Sequence, residues 1–432
     1  MTEKYDFRGR LSSIVSNGDS IATYTYHPTD FVASRTYGNG DVTNFAYDAA
    51  GRLTSIEGVH GGTPLLSLNY VYDNVGNILS KIDGVRPDRS ETYSYDALHR
   101  LTSFQRGQVN NSGVIPNPLK QVQYVLDALG NRTMVTTDGT TTSYSHNNMN
   151  AYTTVGNETM QYDGNGNMIS DGTHTYQYNY RNRMVSIDNG STATFQYDAL
   201  DRRIGKMTAS DTIHYFYRGV QCIEERKSIY TTTYIYGSTI DDIISMHRNN
   251  QDFYYHKNHL GSVVVITDSN GMLVETYDYD PYGMPTIRNA DGVEVSISTI
   301  GNTVTFTGRE YNYETELYYF RARIMSPSFG RFLQHDPLLY VDELNIYSYV
   351  RDIPVSYVDP SGETSKDCDG NCSASKGYNP SCNYCGAEGK NSFPNFWSGK
   401  FNRACYNHDK CYASHKGKTD KLRSEERFSR NA

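Results

Sequence analysis

Apolar and aromatic residues alternate with polar ones along most of the first 360 positions, in short runs of period two. Ile229-Tyr-Thr-Thr-Thr-Tyr-Ile-Tyr236 is typical, rich in β-branched and aromatic residues and poor in helix formers. Such runs predict short, half-buried strands. Many of them end in one recurring unit. Tyr47-Asp48-x2-Gly51-Arg52-Leu53-Thr54 is matched by Tyr5-Asp6-x2-Gly9-Arg10-Leu11, Tyr72-Asp73-x2-Gly76-Asn77 and Tyr95-Asp96-x2-His99-Arg100-Leu101-Thr102. Leu126-Asp127-x2-Gly130-Asn131-Arg132, Tyr162-Asp163-x2-Gly166-Asn167 and Tyr197-Asp198-x2-Asp201-Arg202-Arg203 continue the series. From Tyr47 to Tyr95 the spacings are 25 and 23 residues, and the later ones run from 31 to 36. Each unit reads as a strand ending in Tyr-Asp, a turn whose Gly or Asn accepts positive φ, and a second strand. A lone hairpin cannot bury its face, so the units must stack or wrap into one continuous sheet.

Composition changes the picture near residue 363. Residues 364–432 hold 12 Lys+Arg against 7 Asp+Glu, a balance of +5, so the net −8 of the chain leaves −13 for the body. A basic tail on an acidic body points to contact with anionic surfaces: lipid headgroups, nucleic acid or the body itself. Only Cys222 lies in the body, whereas Cys368, Cys372, Cys382, Cys385, Cys405 and Cys411 crowd the tail. Six cysteines in so short a segment mean a disulfide framework or a metal site. Cys368-x3-Cys372 and Cys382-x2-Cys385 have zinc-like spacing, but no later Cys-x2-Cys completes a ligand set. Disulfides would place the working tail in an oxidising compartment, while the body folds in the cytosol. No apolar run of about 18 residues predicts a membrane span, and MTEKYDFRGR has no signal-peptide stretch.

The tail also carries candidate chemistry in Cys405-Tyr-Asn-His408-Asp409-Lys-Cys411-Tyr412. On a helix, Cys405, His408 and Cys411 or Tyr412 share one face, and Asp409 projects about 100° away. One helix thus presents an imidazole to a buried water and a carboxylate to an adjacent cation, as calcium-assisted ester hydrolysis needs. Upstream, Asn383-Tyr384-Cys385-Gly386-Ala387-Glu388-Gly389 is a glycine-bearing loop able to turn carbonyls around a hard cation.

The Tyr-Asp units resemble the YD repeats of Rhs proteins and of related insecticidal toxin-complex C components. His259-Leu-Gly-Ser262 followed by Tyr277-Asp-Tyr-Asp-Pro-Tyr-Gly283 strengthens the likeness. Thr307-Gly308-Arg309, Leu317-Tyr-Tyr-Phe-Arg-Ala-Arg323, Gly330-Arg-Phe-Leu and Asp359-Pro-Ser-Gly362 resemble the Rhs core-associated module. The resemblance implies a mainly β fold, a spiralling YD-repeat shell or partial cocoon around a C-terminal toxin. It divides the chain into a shell (1–306), a core-associated module (307–363) and a toxin domain (364–432). The family's self-cleaving signature is two Asp-Pro-x-Gly-Leu motifs eighteen residues apart. Here Asp336-Pro-Leu-Leu-Tyr340 and Asp359-Pro-Ser-Gly-Glu363 keep the spacing, with Leu339, Tyr340 and Glu363 at the departing positions. The resemblance makes Asp336 and Asp359 a proton-sharing pair that cuts the chain after Glu363.

The tail resembles secreted phospholipase A2, notably short bacterial forms with Phe-Pro between loop and helix, here Phe393-Pro394. That implies a small α-helical, disulfide-rich domain. His408 would be the base activating water, and Asp409 would bind Ca²⁺ with main-chain oxygens of Tyr384, Gly386 and Glu388. Cys385 would pair with Cys405. The His-orienting carboxylate falls to Glu425 where the family has Asp, and Ser424 stands where Cys411 expects a partner. The implied substrate is membrane phospholipid, cut at the sn-2 ester, with no nucleic-acid partner and no transmembrane segment. A cognate immunity protein and a secretion machinery are the implied partners of a protein made in a bacterial cytoplasm, exported without a classical signal peptide, and acting in or on a target cell. Two other readings remain: a non-enzymatic YD-repeat scaffold or cell-surface interaction protein with a degenerate tail, and a zinc-stabilised nucleic-acid-binding tail.

Overall fold

In the computed structural model, residues 1–341 and 343–367 are described. Among them lie strands and five short 3₁₀ turns, with no α-helix and so no helix long and apolar enough to cross a membrane. The expected α-helical, disulfide-rich domain lies outside the described residues from 368 onward. So do Tyr384, Gly386, Glu388, His408, Asp409 and Glu425.

Chain order is sheet order. A fifteen-stranded antiparallel meander runs from Thr2–Tyr5 to Glu158–Thr159, and a thirteen-stranded one from Tyr176–Tyr178 to Glu294–Val295. The ribbon of Gln161–Tyr162 and Met168–Ser170 lies between them in the chain.

The repeat unit explains this regularity. Asp48 Oδ1 accepts the amides of Ala50 and Arg52, both at 2.9 Å, and Oδ2 accepts Arg52 Nε at 2.7 Å. Gly51, at φ +83°, supplies the left-handed step that closes the turn. Each unit is also tied to the next. Tyr72 Oη donates to Leu53 O at 2.7 Å, and Arg52 Nη1 to Asp73 O at 3.1 Å. The same Tyr-to-carbonyl bond recurs from Tyr26 to Leu11, Tyr95 to Ile78 and Tyr197 to Met184. A register shift falls at the Tyr of most units, as at Ala46/Tyr47 and Val71/Tyr72. Such bulges bend a strand and increase its twist, which curves the sheet.

The curve brings the two meanders together. Arg35 Nη2 pairs with Asp242 Oδ2 at 2.8 Å, and Tyr37 Oη donates to Tyr255 O at 2.9 Å. Asp41, with its side chain out of water, meets His256 Nε2 at 2.9 Å and accepts Thr267 Oγ1 at 2.5 Å. One large apolar core joins both meanders: Ile56, Leu68, Phe104 and Val122 from the first, Tyr255, Val265 and Tyr277 from the second.

A four-stranded sheet from Glu310–Asn312 to Arg331–Phe332 seals the interior. Its strand Leu317–Phe320 is wholly buried and alternates between two cores. Tyr318 and Phe320 join the large core, whereas Leu317 and Tyr319 pack with Tyr152, Met184 and Phe195 in a second. Period-two geometry accounts for that division. Tyr319 also lies 4.1 Å from the fully buried Arg203 guanidinium.

One buried acid makes the shell sensitive to pH. Burial, and then the neighbouring Glu310, push the Glu225 carboxyl up to about 7 against the pull of Arg248. A carboxyl raised in the fold contributes stability that is full below its unfolded value of 4.5 and lost as pH rises through 7. Glu225→Gln is therefore expected to stabilise the protein by about 3 kcal/mol at pH 8, with the gain vanishing near pH 4.5. Urea unfolding of both proteins across that range reads the difference.

Candidate functional site: the aspartate junction

Arg323 opens the strand Arg323–Ser326 and is 3% exposed. A guanidinium so deeply buried needs several acceptors, and the chain supplies them from both Asp-Pro turns. Nη2 lies 2.9 Å from Asp336 Oδ2 and 3.3 Å from Asp359 Oδ2. Nε donates to Gly362 O at 2.6 Å and Nη1 to Ile346 O at 3.3 Å. The guanidinium carbon sits 3.6 Å from the Phe332 ring centroid. The two Oδ2 atoms are therefore no further apart than those two ion-pair distances laid end to end, with a cation between them. Asp336 and Asp359 are 7% and 2% exposed.

The two carboxylates are held differently. Asp336 Oδ1 accepts the Leu338 amide at 2.8 Å. Asp359 Oδ1 gathers the amides of Gly362 at 2.9 Å, Glu363 at 3.1 Å and Thr364 at 3.2 Å. The segment after Asp359 is thus wound around its carboxylate. Arg309 Nη1 and Arg321 Nη1 both donate to Pro360 O, and Asp241 bridges those two arginines. Between the turns, Val350, Arg351 and Asp352 all adopt left-handed φ of 45–59°. Burial pushes the Asp352 carboxyl up to about 6 despite Arg132 and Arg331, and it accepts Tyr282 Oη at 3.4 Å. A cavity of about 10 Å³ lies among Arg323, Asp336, Leu339, Glu343, Asp359 and Ser365, about the room one water needs.

The fourth residue of each motif has the same backbone state. Gly362 has φ +73° and Leu339 has φ +56°. A Cβ at Gly362 would collide with Phe320 O, so no side chain fits. Leu339 is 52% exposed and has room, but it holds a conformation that disfavours L side chains by ~1–2 kcal/mol. Leu339→Gly is expected to stabilise by roughly 0.5–1 kcal/mol, strain relief being partly offset by glycine's chain entropy. Gly362→Ala is expected to destabilise by about 2–4 kcal/mol, from strain and overpacking together. Thermal unfolding of the pair reads the opposite signs.

Arg323 escaped assignment from sequence alone. Its signal was a pair of charges, Arg321 and Arg323, inside Leu317-Tyr-Tyr-Phe-Arg-Ala-Arg-Ile-Met325, an otherwise apolar and aromatic stretch where a buried arginine must have partners. His259 and His335 take other places. His259 Nε2 contacts Val355 O at 2.8 Å, and burial lowers its imidazole to about 4. His335 packs against Tyr347 at 4.8 Å. Among the described residues no three His, Cys, Asp or Glu side chains are grouped to hold a metal.

Residues 59–355 match the family model of the teneurin YD-shell. The tRNA3(Ser)-specific nuclease WapA of Bacillus spizizenii is 32% identical over 372 residues, covering 82% of this chain and 15% of that protein. The toxin subunit YenC1 of Yersinia entomophaga is 24% identical over 419 residues, covering 79% of this chain and 42% of that one. The crystal structure of TcdB2-TccC3 shares the fold, with a TM-score of 0.68 at 22% identity over 83% of this chain and 21% of that one. The chain thus spans only about 15% of its WapA relative.

Proposed function

The chain belongs to the teneurin YD-shell family, and from that premise we propose that it is the shell of a secreted toxin, which cuts itself free of the effector following residue 363. The observation that carries the junction reading is the convergence of Asp336, Asp359 and the Gly362 carbonyl on Arg323. The bond to be cut joins Glu363 to Thr364, and the Thr364 nitrogen already faces Asp359 Oδ1. A water in the small cavity attacks the Glu363 carbonyl carbon and gives its proton to Asp336. That proton passes by way of Asp359 to the departing Thr364 nitrogen as the C–N bond breaks. Arg323 holds the adjacent Gly362 carbonyl and offsets the charge that the two acids exchange.

For the effector, the tail's own residues favour calcium-dependent phospholipase A2 chemistry. His408 would activate water, with Glu425 orienting its ring. Asp409 and the main-chain oxygens of Tyr384, Gly386 and Glu388 would hold Ca²⁺, which polarises the ester carbonyl when bound. The relatives include a tRNA nuclease and a double-stranded DNA deaminase toxin, which supports reading the shell as one that serves different cargo chemistries. Delivery by a secretion or toxin-complex machinery, with an immunity protein in the producing cell, completes this reading. The alternative is a shell used for binding alone, with an inert tail. Intact mass of the denatured protein tests the junction, and phospholipid hydrolysis with and without calcium tests the effector.

A further inference from the structure

The apolar residues around the chain's exit from the junction are exposed. In the loop between the two aspartates, Leu339, Tyr340, Val341 and Leu344 are 52%, 58%, 76% and 68% exposed. Leu129 and Met149, at the tips of neighbouring rim turns, are 43% and 51% exposed. Side-chain amides tie loop and rim together: Asn345 Nδ2 donates to Leu129 O at 3.1 Å, and Asn150 Nδ2 to Leu344 O at 3.5 Å. Single exposed apolar residues are ordinary, but a gathered patch of them marks a binding surface.

The chain itself runs past this patch. Ser365 lines the same small cavity as Leu339, and 65 residues follow Asp367. Within them Phe393, Phe396, Trp397 and Phe401 crowd nine positions. Twenty-five residues separate that cluster from Asp367, a reach of up to about 90 Å when extended. The tail's +5 against the body's −13 favours the same encounter. We propose that the patch formed by Leu129, Val341, Leu344 and their neighbours is the docking site for the aromatic segment 393–401 of the same chain. The proposal rests on the shell-and-cargo reading and deepens it: the cargo is held at the rim by apolar contact as well as by the peptide bond.

Trp397 is the single tryptophan of the chain, so its fluorescence reports docking directly. In the undenatured full chain its emission is expected to be blue-shifted and resistant to acrylamide. In the triple variant Leu129→Ser, Val341→Ser, Leu344→Ser, emission should move to the red, with the docked-to-free ratio falling about ten-fold or more. These positions are exposed, so the fold should survive, as far-ultraviolet circular dichroism will verify. Equal quenching in both proteins overturns the proposal, whether Trp397 is shielded in both by the tail's own fold or bathed in water in both. Shielding that disappears on dilution also overturns it and assigns the patch to a second copy. Tail release is scored in parallel by intact mass. Docking without cleavage leaves the patch standing and removes the junction reading, and cleavage without docking does the reverse.

Discussion

Asp359→Asn is expected to yield one intact chain on denaturation, where the wild type is expected to separate into a body ending at Glu363 and a tail beginning at Thr364. The substitution is nearly isosteric. The carboxamide oxygen would still accept the amides of Gly362, Glu363 and Thr364 that wind the segment around the side chain, so folding should be preserved. An amide, however, cannot pass an acidic proton to the Thr364 nitrogen. Loss of a general acid typically lowers a rate by ~10²–10⁴-fold, enough to leave the chain whole over a purification. Asp336→Asn should give the same mass for a different reason, because it removes the acceptor of the water's proton. The two variants are separable by stability. Both carboxylates share Arg323, but Asp359 also anchors four backbone amides, those of Ser361, Gly362, Glu363 and Thr364, so neutralising it should destabilise the fold more. A wild-type protein that runs as one mass would remove the self-cleavage reading, and Glu363 would be the first residue to replace.

How much of this could be read from the amino acids follows from sequence separation. The Tyr-Asp turn is written within five residues, since Asp48 serves Ala50 and Arg52 directly, so its chemistry shows in any single unit. The β class and the sheet's repetition follow from it. Closure of the curve does not, because it depends on pairs such as Arg35 with Asp242 and Asp41 with His256, more than 200 residues apart. The junction was half legible. The spacing of Asp336 and Asp359 stood out, but the cation between them comes from a strand that reads as pure core. Leu339 marks a different limit: the likeness to the motif set it at a glycine's position, but a leucine gives no hint of positive φ, and only the backbone shows that the glycine conformation is kept there.

The tail makes the sharpest distinction among effector readings, because its two central residues are expected to fail in different ways. His408→Gln should keep calcium binding and lose lipid hydrolysis by ~10²–10⁴-fold, the usual effect of removing a general base. Asp409→Asn removes a formal charge from the cation's ligand set. It should weaken calcium binding first and hydrolysis in consequence, because affinity for a hard cation follows ligand charge. Excess calcium should therefore rescue Asp409→Asn in part and His408→Gln not at all. Glu425→Asp probes the longer arm: if it misplaces the imidazole, the shorter acid should raise activity. Hydrolysis that persists in excess chelator, or a fully active His408→Gln protein, would sink the phospholipase reading. The shell and its junction would survive that outcome, because their geometry uses no residue beyond 367. The basic, cysteine-rich segment would then be better regarded as a binding remnant, its +5 balance favouring contact with anionic surfaces.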